Sequence, residues 1–319
     1  MPEPILRVRD LTKIFVSGIS KKRIVKALDK VSFDIGEKEF VALVGESGSG
    51  KTTLARIILR LTPPTSGEVI YKGKNIWELE GEELKWYRSE VQGIFQDPYT
   101  SFNPFYKVDR ALKVAAVKFL RGGDIDKVIR EALESVRLNP DEVLGRYPHQ
   151  LSGGQLQRIS IARALIPRPK LLIADEYISM VDMSTRVDIV NLSRDLVDKF
   201  GMSIIMITHE MNMALYATDK MIVLFKGKVV EYGETKKIMK DPLHPYTKLL
   251  IEALPSIEKK VERKILQKTI EAQIKGLRES PRGCIFAHRC PYAEERCYNE
   301  EPPLIEVDKN HYVSCWLYK

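Results

Sequence analysis

Phe40-Val-Ala-Leu-Val-Gly45-Glu-Ser-Gly-Ser-Gly50-Lys51-Thr52-Thr53-Leu54 carries the first decision about this 319-residue chain. Its five leading apolar residues are too few for a helix and suit a strand buried on both faces. Gly45-x-x-x-x-Gly50-Lys51-Thr52 then has the spacing of a phosphate-binding loop. Glycines let such a loop fold into a cup of inward-pointing N–H groups. Gly45, Ser47, Gly48, Ser49, Gly50 and Thr53 are the residues expected to form it. A helix over about 50–61 adds the positive end of its dipole. Lys51 is placed to reach the outer phosphates, and the Thr52 hydroxyl to ligate Mg²⁺. The stretch therefore predicts a nucleoside triphosphate site.

Working outward, the chain has room for one large domain and a small one. A hydrophobic share of 44% and a charged share of 29% suit a globular protein. No apolar run approaches a membrane span, and the first residues lack a signal peptide's apolar core, so a cytoplasmic protein is expected. The formal charge of +8 is compatible with nucleic acid, an anionic membrane surface or a solvated exterior. The Lys/Arg-rich stretches at 20–30 and 259–282 lack the interleaved aromatics of a single-strand binder.

The first forty residues read as short alternating strands around a polar hairpin tip at Ser17–Arg23. A turn at Pro63–Gly67, a hairpin over 68–75, a helix over 80–89 and a buried strand at Val91–Phe95 follow. From Asn103 to about Gln150 the periodicity is helical: Leu112, Ala115, Ala116 and Phe119 share one face, and Ile129, Leu133 and Val136 another. This predicts a helical insertion, spanning about 103–166 with the helix at 152–166. Strands at 171–174 and 203–208, a helix over 182–199 and a hairpin at 220–232 complete an α/β core. A second boundary falls near Pro255, with 256–280 a charged linker and 281–319 a small lobe holding every cysteine.

Leu171-Leu-Ile-Ala-Asp175-Glu176 ends a strand in paired carboxylates. Beside a phosphate loop, Asp175 can hold Mg²⁺ through water and Glu176 can polarise an attacking water. Ser152-Gly153-Gly154-Gln155 opens a helix with bare backbone N–H groups, a second phosphate cradle. Two cradles with one set of carboxylates make sense if each cradle completes the phosphate loop of another subunit. Here the chain resembles the ATP-binding cassette (ABC) family, over about residues 5–255.

That resemblance implies a P-loop ABC ATPase core with an antiparallel β subdomain and a helical subdomain, using ATP and Mg²⁺. It implies that Gln96 contacts Mg²⁺ and the attacking water and that His209 contacts the γ-phosphate. It also implies that Phe15 stacks on adenine and that Asp182 belongs to the loop at a dimer interface. Two positions depart from the family pattern: Tyr177 stands where Pro is usual, and Leu156 where a basic residue is common.

His244-Pro245-Tyr246, followed by Gly283-Cys284, Arg289-Cys290-Pro291, Cys297, His311 and Cys315, resembles the ATPases of dipeptide and oligopeptide importers. Four thiols at these spacings match neither a zinc ribbon nor a ferredoxin run, yet suit Zn²⁺ or an iron–sulfur cluster. The resemblance favours one [4Fe-4S] cluster on Cys284, Cys290, Cys297 and Cys315, stapling a lobe too small for its own core. It also implies a second ABC ATPase subunit, identical or paralogous, two membrane permease subunits and an extracytoplasmic solute-binding protein. The place implied is the cytoplasmic face of the membrane, with no nucleic acid partner. Import of oligosaccharides is the alternative. A soluble cassette acting on DNA or ribosomes is the more distant one.

Overall fold

A computed structural model describes residues 3–17, 23–120, 122–254 and 282–319. The hairpin tip at 18–22 and the linker expected over 256–280 lie outside the described residues.

The amino-terminal strands are longer than their sequence pattern suggests. β1 (Leu6–Ser17) and β2 (Arg23–Ile35) pair antiparallel along their length, with register shifts between Val8 and Ile14. Those irregularities break the strict alternation that marks a strand in sequence. β3 (Phe40–Val44) is buried at every residue and leads into helix α1 (Lys51–Ile58). β4 (Ser66–Tyr71) and β5 (Lys74–Asn75) join β1 and β2 in a four-stranded antiparallel sheet. After α2 (Gly81–Glu90) comes β6 (Val91–Ile94).

The helical insertion contains α3 (Val108–Phe119), α4 (Ile125–Ser135), a short α5 (Pro140–Val143) and α6 (Gly153–Leu165). Leu112 and Ala116 of α3 meet Ile129 and Leu133 of α4 in one buried cluster, the two faces read from the periodicity. Then follow β7 (Leu171–Asp175), α7 (Met183–Phe200) and β8 (Ser203–Ile207). Helix α8 (Met211–Ala217), strands β9 (Lys220–Phe225) and β10 (Lys228–Glu234), and helices α9 (Thr235–Lys240) and α10 (Pro245–Glu252) complete the cassette.

Among the described residues the main sheet has eight strands, in the order β11 (Ile305–Asp308)-β12 (His311–Val313)-β10-β9-β3-β8-β7-β6. From β9 to β6 the pairing is parallel. Parallel strands end at one edge, so the residues after β3, β6, β7 and β8 are gathered there. That edge is where open α/β sheets bind ligands.

The cysteine-bearing segment is not detached from this sheet. After the short helix α11 (Glu295–Asn299), β11 (Ile305–Asp308) and β12 (His311–Val313) form a hairpin. β12 then pairs antiparallel with β10 of the cassette. Phe286 is buried in the same core as the cassette's Phe225 and Tyr246, and Cys284, Ile285 and Cys290 pack against it. Hydrogen bonding and packing both cross the boundary expected between domain and lobe.

Candidate nucleotide site

The loop after β3 is held by close backbone contacts that only glycine permits. A Cβ on Gly45 (φ +151°) would meet the Leu224 carbonyl at 2.1 Å, and one on Gly50 (φ +107°) the Ala27 carbonyl at 2.4 Å. Gly50 caps α1, and no acidic residue occupies that helix's first turn, leaving its positive end uncompensated. Lys51 is buried, and its ammonium folds back onto the carbonyls of Gly45 (2.7 Å) and Glu46 (2.9 Å). Burial lowers its pKa, while Glu176, Asp175 and Glu46 oppose that shift. A polyphosphate entering the cup would replace carbonyl dipoles with full negative charges for Lys51.

Asp175, the last residue of β7, is buried and hydrogen-bonded to Thr52. Burial raises its carboxyl pKa, against the Thr52 bond and the nearby Lys51. This hydroxyl–carboxylate pair fits the hard oxygen donors that Mg²⁺ prefers. Glu176 follows with φ +46°, an angle non-glycine residues seldom adopt. Its N–H donates to the Ile207 carbonyl of β8 at 2.9 Å, which fixes the turn. The carboxylate then accepts from Gln96 Nε2 at 2.8 Å and lies 3.6 Å from His209 Nδ1. Residues from three strand ends, Gln96, Glu176 and His209, thus meet at one carboxylate, a contact among them that their motifs did not specify.

The second cradle is built by its own capping box. Ser152 Oγ accepts from the Gln155 N–H (3.1 Å), and Gln155 Oε1 accepts from the Ser152 N–H (3.0 Å). The Gln155 side chain is therefore engaged in the cap, and Gly153 and Gly154 present bare backbone. Among the described residues no hydrogen bond joins 152–155 to the loop at 45–53. Asp182 is committed likewise: it caps α7, accepting from Thr185 N and Oγ1 and from Ser184 Oγ. Those bonds hold its carboxyl well below the usual range.

Phe15 lies on β1 with 43% of its surface exposed, so it is not a core residue. The two departures from the family pattern are both buried. Leu156 packs in the core, and the Tyr177 hydroxyl meets Ser193 Oγ at 2.7 Å.

Four thiols, Cys284, Cys290, Cys297 and Cys315, line one cavity of about 210 Å³. Burial pushes the Cys290 thiol up to about 12, and those of Cys284 and Cys315 upward. Among the described residues, no group of three or more His, Cys, Asp or Glu side chains is placed to hold a metal ion. His311 points away, its Nε2 2.8 Å from the buried Glu231.

Two side chains that sequence reasoning gave no role touch the phosphate loop. The Tyr246 hydroxyl accepts from the Glu46 N–H at 2.8 Å, and Arg289 forms a two-pronged pair with the Glu46 carboxylate. Both residues lie inside motifs singled out by resemblance, but their partner is 200 and 243 residues away in sequence.

Residues 28–179 match the ABC transporter family, and residues 230–297 the oligopeptide/dipeptide transporter C-terminal region. The putative oligopeptide transport ATP-binding protein YkfD of Bacillus subtilis is 39% identical over 99% of this chain and 96% of its own. The chain belongs to the ABC transporter family. It is an ATPase of that family. AppF of the same organism, an oligopeptide transport ATP-binding protein, is 36% identical over 99% of this chain and 98% of its own. Among solved structures, the ATP-binding cassette MJ0796, a dimer in a post-hydrolysis state with ADP and Pi, superposes with a TM-score of 0.65. It is 30% identical and covers 72% of this chain and 98% of its own.

Proposed function

We propose that the chain is the ATP-hydrolysing subunit of an importer of di- or oligopeptides. The observation that carries this is similarity running the whole chain, through the His-Pro-Tyr helix and the cysteine tail, to relatives named for oligopeptide transport. Among the described residues no helix is long and apolar enough to cross a membrane, so the pore belongs to other subunits.

Residues 45–53 take the phosphates of ATP, with Lys51 on the outer ones. Thr52, Asp175 and Gln96 hold Mg²⁺, which supplies charge neutralisation when bound. Glu176 orients and deprotonates the attacking water, with Gln96 and His209 fixing its carboxylate. Phe15 offers a ring to adenine.

A groove of about 850 Å³ between the segment after α1 and helix α3 runs along β6, the strand that ends near Gln96. Leu59, Gly93, Phe95, Tyr106 and Phe119 line it, and a permease loop seated there would sense the state of Gln96. The partners are a second cassette, two permease subunits and a solute-binding protein, with this chain on the cytoplasmic face.

A [4Fe-4S] cluster on Cys284, Cys290, Cys297 and Cys315 is supported by the shared cavity. The thiolates would serve as a staple for the tail.

The test is reconstitution of the chain with its permease and solute-binding partners in proteoliposomes. Peptides of two to five residues should stimulate its ATPase, and oligosaccharides should not. Stimulation by sugar alone would replace the peptide reading. The same protein, purified without oxygen, should contain about four iron and four sulfide per chain; one zinc and no iron would remove the cluster.

A further inference from the structure

Glu46 places a carboxylate in the loop read as the phosphate cup. A carboxylate there repels the polyphosphate that the cup exists to hold. The structure supplies the missing counter-charge from the far end of the chain. Arg289 Nη2 and Nη1 lie 2.8 and 2.9 Å from the two oxygens of Glu46, a fork-to-fork pair. The arginine is itself rigidly mounted. Its guanidinium lies 5.5 Å from the Phe225 ring and 5.6 Å from that of Phe286, and its side chain is only 16% exposed. Among the described residues its Nε has no hydrogen-bond partner, and Glu46 receives the directional bonds of this guanidinium.

The same platform holds the loop's backbone. Phe225, Tyr246 and Phe286 pack with centroids 4.4 to 5.6 Å apart. From it the Tyr246 hydroxyl takes the Glu46 N–H. Both the main chain and the side chain of Glu46 are thus fixed by residues beyond 240.

We propose that Arg289 is a positioning residue of the nucleotide site: it neutralises and tethers the Glu46 carboxylate, and so gives the carboxy-terminal segment control over affinity for nucleotide. The proposal rests on the reading of residues 45–53 as the phosphate cradle. With Arg289 in place, Glu46 is an anchor for the loop. Without it, Glu46 is a negative charge beside the phosphates and a competitor for Lys51, whose ammonium already bonds the Glu46 carbonyl. Arg289 directly precedes Cys290 and follows Phe286, so anything that loosens the cysteine cavity loosens the arginine too. The tail therefore reports its own integrity to the ATP site.

The experiment uses full-length protein and a fluorescent ATP analogue with Mg²⁺. Arg289→Met should raise the dissociation constant about tenfold, with KM for ATP rising more than kcat falls. Arg289→Lys, which keeps charge but loses the fork, should fall between. The decisive variant is the double one. Glu46→Gln added to Arg289→Met removes the exposed charge and should restore affinity to within about twofold of the native protein. A tail that merely misfolds without Arg289 would not be rescued from the loop. Native affinity in Arg289→Met, or a double variant as weak as the single, overturns the proposal. Lys51→Ala serves as the control: if it binds nucleotide normally, the cradle reading falls and the proposal with it. Sensitivity to Lys51 with indifference to Arg289 removes the proposal alone.

Discussion

Glu176 shows how much can depend on one backbone angle. At φ +46° it turns sharply off the end of β7, so that Gln96 and His209 reach its carboxylate from two other strand ends. A glutamine there keeps the shape and the Gln96 contact but cannot take a proton. Glu176→Gln should therefore bind ATP normally and hydrolyse it at least about 10²-fold more slowly in single-turnover assays. Undiminished turnover would take Glu176 out of the mechanism. The residues of this site were legible because Glu176 and His209 each follow a short apolar strand, and Gln96 sits in the distinctive Phe-Gln-Asp-Pro ending of a more mixed one. Asp182 marks the limit of that reading: its carboxylate caps its own helix, a use that motif position alone does not reveal. Tyr177 is similar. It is a departure by sequence, yet a buried side chain whose hydroxyl meets Ser193.

At the scale of elements, the helices and parallel strands were legible because period and burial agree within each segment. The tail hairpin was not. β12 has three residues, and in β11 Ile305 is half-buried while the other three positions are exposed, too little for an alternation to show. What fixes the hairpin is a partner on β10. Glu231, fully buried, accepts from the N–H groups of Leu243 and His244 and bonds His311 of β12. One carboxylate thus joins a cassette strand, the start of the His-Pro-Tyr helix and the tail. His311→Ala would leave part of that buried carboxylate unsatisfied, at a cost of about 1–3 kcal/mol in urea unfolding. The loss should fall on the tail first, read as faster amide exchange in β11 and β12 than in β3. Uniform exchange across both would mean that the hairpin is not held by Glu231.

At the scale of the whole molecule, the two phosphate cradles proposed from the sequence present a problem that one chain does not solve. The capping box at Ser152 leaves Gly153 and Gly154 at the start of α6 without side chains to shield their backbone, and no hydrogen bond among the described residues brings them to the loop at 45–53. Met180 and Met183, on either side of Asp182, expose 56% and 61% of their surfaces, an apolar rim that suits a face covered only part of the time. The related cassette solved with ADP and Pi is a dimer. If ATP sits between one subunit's loop and its partner's glycines, hydrolysis needs two chains. Specific activity should then fall on dilution, with rate rising faster than linearly in protein at low concentration. Ser152→Arg, which puts a bulky charge on the closing face, should abolish turnover while leaving ATP binding to the isolated loop unchanged. Glu176→Gln should do the reverse and accumulate as an ATP-bound dimer in size-exclusion chromatography, because a nucleotide that is not consumed leaves the interface shut. A dilute monomer with full specific activity would contradict the shared site, and with it the reason for a second cradle on this chain.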